Sequence, residues 1–465
     1  NSGDSRTLRI RKYHDDYSRR QFMQRLGSGV LATGVLMPLW KAIAADGDIT
    51  AAYPDEALSL EGHTRGKLRA GDTISADNVE LVRDLLDPIQ YTQISQMGRR
   101  LTVLDTTTDI MRLSPWEYVE ATLRNQGRAR FADDGNVVTD EGKPWIGGNP
   151  FPSPRSGVEV FAGITMSWGR HDASLYAIRE YDLDDRGAVA YEYQSCWAEL
   201  APVGRVSVEP MPYMPGHENK LRYQSIFFLS PNDVRGTSFL NIWHYDQNRY
   251  PDLYGYLPAF KRVRRFPTNQ RFEPLIPGST LYLSDAWAAG DPFLTWGNYR
   301  IVHQGPALGA VSRSWNAGHP NWEHGTHGGA QGLSFWDTAV EFVPEAIVVE
   351  AEPVKYPRAP VSRKRVWFDA RTLLPLSMVS FDRQGNIFRS FDGAYSIYED
   401  GANRVMDGAH PYWSWTRVHA HDVQTNRITR LEQVRELPGG YRSSVNDQNL
   451  YEKYLTQTAL QRIGS

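Results

Sequence analysis

The segment RKRVWFDARTLLPLSMVSFDRQGNIFRSF, residues 363–391, restricts this chain to a fold built on sheet. Short runs of apolar and β-branched residues alternate with polar ones, and turn-forming residues separate the runs. Arg365–Asp369 reads as a strand, Ala370–Leu373 as a turn and Leu374–Phe381 as a second strand. Asp382–Asn386 supplies a glycine-containing turn, and a third strand starts at Ile387. Connections this short join antiparallel neighbours, so the segment is a β-meander. The same texture recurs from Val158 onward in SLYAIREYDL, AVAYEYQSCWAEL, KLRYQSIFFL and TSFLNIWHYD, and again in the hairpin WTRVHAHDVQTNRITRLEQV. No strands alternate with long helices, which argues against a doubly wound α/β fold.

Three stretches fall outside this pattern. Residues 45–145 read as helix and loop packing on the sheet. One helix is expected in SADNVELVRDLLDPIQYTQISQM, capped by Ser75 and interrupted at Pro88. Another is expected in SPWEYVEATLRNQG, capped by Ser114 with Pro115 in its first position. Residues 146–465 form the β domain, with an irregular insert at 267–360 rich in Gly, Pro, Trp and His. Residues 1–44 read as an export signal. Ser18-Arg19-Arg20-Gln21-Phe22 resembles the twin-arginine signal S-R-R-x-F, and Ala42-Ile43-Ala44 supplies a small-x-small cleavage pattern ending at Ala44. The uncharged stretch between them is short of the roughly 20 residues of a membrane span. The expected compartment is therefore the periplasm, reached in the folded state.

Charge and cysteine usage narrow the function. Residues 1–45 hold eight Lys/Arg against three Asp/Glu in a chain of net charge −3, so the remainder carries about −8. A mildly acidic body is a poor nonspecific binder of nucleic acid. The single cysteine, Cys196, excludes an intramolecular disulfide and a multi-cysteine metal site.

Several motifs carry a family likeness. GGNPFP (147–152), FLSPNDVRGTSFLNIW (228–243), YLPAFKRVRRFP (256–267) and RVWFDARTLLPLSMVSFDRQGNIFR (365–389) resemble segments of the bacterial family known as domain of unknown function 1329. Members are described as similar to outer-membrane lipoprotein-sorting proteins. The resemblance implies a mainly antiparallel, strongly curved sheet, an incomplete β-barrel with helices covering its open side, like LolA and LolB. It also implies an apolar groove that carries a lipid or other hydrophobic molecule. The partners it implies are a resistance–nodulation–division type permease and an outer-membrane protein. It implies no catalytic residue and no cofactor.

Candidate site residues follow from strand parity. Period two offers an apolar set in each strand. Leu240, Ile242, Val366 and Phe368 are expected to face the groove near Tyr256 and Leu257. The basic run Lys261, Arg262, Arg264 and Arg265 is expected at its rim, as a solvated strand end or a contact for a headgroup or protein partner. A groove for a ligand needs a connected cavity of at least roughly 300 Å³. His319, His324 and His327 lie close together, but His-x4-His-x2-His fits no standard zinc spacing, and no metal is expected. His419 and His421 share one face of a strand. The alternative reading is a periplasmic enzyme acting on envelope glycan. It would use two carboxylates and an aromatic platform drawn from Trp287, Trp296, Trp315, Trp322 and Trp336. No G-x-S-x-G, H-E-x-x-H or P-loop pattern is present outside the export signal.

Overall fold

The computed structural model describes residues 45, 47–167, 169–267, 271–288, 290–329 and 332–465. Arg19, Arg20 and Ala44 lie outside them. One large mixed sheet organises the chain. In chain order its strands are β1 (Thr73–Ile74), β2 (Leu101–Leu104), β3 (Ala173–Leu183), β4 (Val189–Leu200), β5 (Lys220–Ser230), β6 (Ser238–His244), β7 (Asp252–Leu257) and β8 (Arg262–Phe266). They continue with β9 (Gly297–Gly309), β10 (Thr338–Glu352), β11 (Val361–Asp369), β12 (Pro375–Asp382), β13 (Ile387–Ile397), β14 (Trp413–Asp422), β15 (Arg427–Val434) and β16 (Ser444–Val445). The sheet runs β1-β2-β10-β11-β12-β13-β14-β15-β3-β4-β5-β6-β7-β8, with β9 on β10 and β16 on β3. It is strongly curved and does not close, because β1 and β8 remain its ends. Pairing is antiparallel throughout except between β2 and β10.

The predicted meander is β11–β12–β13, and its turns fall where the turn residues place them. The five remaining predicted strands and hairpins also form, within a residue or two at most ends. Three expectations change. Residues 45–145 are not only helix and loop, since they give the sheet β1 and β2. The apolar run after Val158 opens as a helix, α3 (Gly157–Met166), and strand texture begins at Ala173. The insert 267–360 contains the two longest strands, β9 and β10. Both are hard to read. β9 carries Gly305-Pro306 at a register shift, and β10 is buried on both faces, so its apolar residues do not alternate.

The helices start where backbone N–H groups find a partner. Pro88 opens α1 (Pro88–Met97) rather than interrupting it. Asp87 caps α1 by accepting from the N–H groups of Ile89 and Gln90 at 2.8 and 2.9 Å, and Gly98 ends it in the left-handed region. α2 (Trp116–Asn125) forms as expected, but Ser114 does not cap it. The Ser114 hydroxyl instead accepts from Arg170 at 2.8 Å. α3 is apolar on nearly all sides and is buried accordingly. Its Gly157 lies so close to β10 that a Cβ would meet Val349 at 2.8 Å. At the chain's end, α4 (Leu450–Tyr454) and α5 (Gln457–Gly464) pack on one face of β3–β7.

Both faces of the sheet are therefore covered. The inner face, defined here by Phe391, Val418, Leu431, Ile178 and Trp197, packs under α2, α3 and the loop around Gly278. The outer face is covered by α4 and α5 at one end and by residues 60–104 at the other.

Candidate functional site

The inner face holds an apolar cavity with about 90 Å³ of free volume. Its floor is the stretch of sheet from β13 to β5, contributing among others Phe391, Trp415, Ile178, Trp197, Ile226 and Phe228. Tyr176 and Trp415 meet edge to face at 5.6 Å across it. Its roof is the segment 275–283, whose Leu275, Ile276, Leu281, Tyr282 and Leu283 all face the cavity. This roof belongs to the irregular insert. Gly278, with φ of +86°, turns it against Tyr191 so closely that no side chain fits there.

Polar bonds fasten the roof. The Tyr193 hydroxyl donates to the Pro277 carbonyl at 2.6 Å. The Thr280 N–H donates to the Thr429 hydroxyl at 2.8 Å, and the Thr280 hydroxyl donates to the Ala420 carbonyl at 2.9 Å. The Arg389 guanidinium pairs with Asp285 and lies 3.7 Å from the centre of the Tyr282 ring. Apolar contact and a short set of directed bonds together hold the roof down.

One acidic group lines this cavity. Glu180 of β3 is 3% exposed, and its neighbour on the same face, Asp182, is 1% exposed. Burial raises the Glu180 carboxyl well above the usual carboxylate range, and the neighbouring Asp182 charge adds to the rise. Burial likewise raises Asp182, to about 6, against hydrogen bonds from Thr429 and Glu180 that favour its charged form. Burial of the two adjacent carboxyls therefore favours one shared proton over two charges.

The expected groove residues lie elsewhere. Register explains why for β6. Phe239 pairs with Ile226, a cavity residue, so Leu240 and Ile242 point to the outer face. There Leu240 and Tyr256 are buried beside Leu450, Leu455 and Leu460 of the terminal helices, with Ile242 packed against the same cluster. Parity in β6 was ambiguous because Phe239 and Trp243 make the opposite set equally apolar. On β11 the expected parity is right. Val366 pairs with Met378, which pairs with Phe391 of the cavity wall. Yet Val366 and Phe368 are sealed under α3, with Phe161 meeting Phe368 edge to face at 5.2 Å. Leu257 packs at the margin of the Phe228–Phe239 cluster. None of the six lines the cavity, and the cavity is smaller than the roughly 300 Å³ expected of an open ligand site.

The basic run sits on the sheet's end strand. Lys261 occupies a left-handed turn before β8 instead of the strand itself. Arg262 and Arg264 are exposed, with Arg264 4.0 Å from the centre of the Phe260 ring, and Arg265 pairs with Asp252 at 2.6 Å.

The histidines diverge. His319 faces Glu323 at 3.5 Å, His324 bonds the Ser314 carbonyl at 3.0 Å and His327 bonds Arg100 at 2.7 Å. His324 and His327 border a wide, polar depression with Arg313, Trp315 and Asp337. His419 and His421 share the outer face as parity requires, within a buried network. Arg99 holds Asp392 with two bonds of 3.1 Å, and Arg417 donates to it at 2.8 Å. Burial lowers His419 to about 3, so it is neutral there. Of the tryptophans, Trp296 packs on Phe272 and Tyr356, Trp315 and Trp322 pack on Tyr398, and Trp336 packs on His419. The side chain of Trp287 lies outside the described residues.

Sequence reasoning missed the roof and Glu180. The roof had a signal, an apolar cluster on either side of Pro277-Gly278 inside an otherwise polar loop. Glu180 had a weaker one, two acidic residues on the inward-facing parity of a β-rich strand.

The chain is similar to the following proteins of known structure or sequence family. A crystal structure of a DUF1329 family protein from Desulfovibrio piger aligns over 65% of this chain and 97% of its own, at 15% identity and a TM-score of 0.42. A LolA superfamily protein from Nitrosomonas europaea aligns over 61% of this chain and 96% of its own, at 10% identity and a TM-score of 0.32. No curated protein matches the chain. The sequence model of the family of unknown function DUF1329 matches residues 73–461, which takes in all of the sheet and its covering helices up to α5, and the chain belongs to that family.

Proposed function

We propose that the protein is a periplasmic carrier for a lipid or other hydrophobic molecule, held between the inner face of the sheet and the segment 275–283. One observation carries the reading: an apolar cavity whose roof is an irregular segment of apolar side chains outside the main sheet, ending in a short 3-10 turn that starts at Leu283. Loops of this kind leave without disturbing the sheet. In this closed form about 90 Å³ is too small for an acyl chain, so the ligand takes the place of Leu275, Ile276, Leu281 and Leu283. A sixteen-carbon chain gains up to about 12 kcal/mol on burial, before ordering costs. The roles of a permease and an outer-membrane protein as donor and acceptor belong to the same proposal.

The test is binding of the neutral fluorophore N-phenyl-1-naphthylamine to lipid-stripped protein. Saturable binding is expected, and Ile226→Asp should abolish it. Ile226 lines the cavity but keeps partial exposure, so the charge is tolerated in the fold. Absence of saturable binding, or binding that survives Ile226→Asp, defeats the proposal.

A further inference from the structure

Resting on the carrier reading, we propose that the cavity selects an amphiphile whose apolar body ends in a neutral hydroxyl, an aliphatic alcohol, received by Glu180 and Ser195. Two buried polar atoms in the lining lack any hydrogen-bond partner, Glu180 Oε1 and Ser195 Oγ. Leaving such atoms unpaired costs about 1–3 kcal/mol each, so a ligand that pairs them recovers affinity that a pure hydrocarbon does not.

The two atoms belong together. Glu180 of β3 pairs with Tyr193 of β4, and Ser195 pairs with Ile178, so Glu180 and Ser195 are diagonal neighbours on one face. Diagonal residues lie about 7–8 Å apart, close enough for one small group to bridge their side chains. The other surroundings of Glu180 are Leu431 across β15, Asp182 along β3 and Ser279 from the roof. Among the described residues that line the cavity there is no Lys, Arg or His.

That set of groups discriminates among headgroups. A hydroxyl donates to Glu180 Oε1 and accepts from Ser195 Oγ, satisfying both with one atom. An ether oxygen accepts only and leaves Glu180 Oε1 unpaired. A carboxylate brings a negative charge beside an acidic pair with no cation to offset it. An ammonium donates to Glu180 but enters this apolar site at the full desolvation cost of a charge, against a pair that holds its proton.

The experiment is competition against N-phenyl-1-naphthylamine on the full lipid-stripped chain at neutral pH. The competitors share one chain length: dodecanol, dodecyl methyl ether, dodecylamine and dodecanoate. Dodecanol should bind about tenfold tighter than its methyl ether, the difference one added hydrogen bond makes, and dodecanoate should be the weakest. Glu180→Leu should bring alcohol and ether to equal affinity while both still bind. Glu180→Gln keeps an acceptor and should retain a preference for the alcohol. Equal affinity of alcohol and ether in the unaltered protein, tightest binding of the amine or the carboxylate, or a preference that survives Glu180→Leu overturns the inference and leaves the carrier reading standing. If Glu180→Leu does not fold, the alcohol–ether comparison in the unaltered protein decides alone. If no competitor displaces the fluorophore, the inference falls together with the carrier reading.

Discussion

Glu345 gives the sheet a pH dependence that can be worked from its surroundings. It sits in the middle of β10, fully buried. Its carboxylate accepts from the Tyr53 hydroxyl at 2.7 Å and from the Gln304 side-chain amide. Burial outweighs both bonds, and with a smaller push from Asp369 it raises the carboxyl from the ordinary 4.5 to about 7. The folded chain therefore holds this proton more tightly than the unfolded chain. By linkage its contribution to stability is complete below pH 4.5 and is lost as pH rises through 7. At 1.36 kcal/mol per pH unit the full loss is about 3 kcal/mol, of which about 2.5 kcal/mol falls between pH 5 and pH 8. Glu345→Gln isolates the effect. The glutamine is a near-isostere of the protonated acid, and Gln304 Oε1, unpartnered in this structure, can accept from the new amide once the Gln304 side chain turns over. Guanidinium unfolding of both proteins at pH 5 and pH 8 measures the gap. The glutamine variant should be the more stable, by a margin that grows by about 2.5 kcal/mol between the two pH values. A gap that stays constant, or a variant less stable at pH 8, refutes the reasoning.

Ile242→Asp separates the two faces of β6. Ile242 packs against the terminal helices, so a buried charge there should lower stability by about 2–4 kcal/mol and leave N-phenyl-1-naphthylamine binding intact in the folded fraction. Loss of binding at full stability would return Ile242 to the ligand wall. Export is tested on the precursor: changing both Arg19 and Arg20 to Lys should retain it in the cytoplasm, and a mature form still appearing in the periplasm rules out the twin-arginine route.

The sequence was most legible where unmistakable turn residues bracket the strands. The meander β11–β12–β13 has DARTLL and DRQGN turns that admit only short connections, and it formed as read. β6 is the counterexample. Its sets Phe239/Trp243 and Leu240/Ile242 are both apolar because Phe239 packs with Ile276 and Leu283 of the roof on one side and Leu240 with α4–α5 on the other. Period two then reports that a strand exists and says nothing about which way it faces. β9 and β10 were invisible for a related reason. β10 is buried on both faces and loses alternation, and Pro306 in β9 and Pro344 in β10 are residues that ordinarily break strands. α3 was misread because a helix buried all round is as continuously apolar as a buried strand, and length alone separates the two. Glu180 carried only a weak signal, since its meaning depends on an apolar roof contributed from about a hundred residues away.

The division of labour between the two faces bears on how a carrier of this shape could release its cargo. On the outer face, Arg99, Asp392 and Arg417 form a closed, buried ionic network. There, burial alone would raise Asp392, but the two guanidiniums hold it well below the usual carboxylate range. Breaking a buried network of this kind costs several kcal/mol, so it pins Arg99 and its segment to β13 and β14. On the inner face the roof is held by four aliphatic side chains at about 1.5–3 kcal/mol each and a few hydrogen bonds at about 1 kcal/mol each. Lifting it therefore costs on the order of 10 kcal/mol. A long acyl chain returns a similar amount when it occupies the same surface. On the carrier proposal, ligand and roof compete for one apolar floor on nearly equal terms. Near-equality is what transport requires, because a site that bound its cargo far more tightly than its own roof would never surrender it, and one that bound it far less would never open. The hydroxyl contact at Glu180 adds roughly a tenfold bias within that balance, enough to choose among cargoes and too small to trap one.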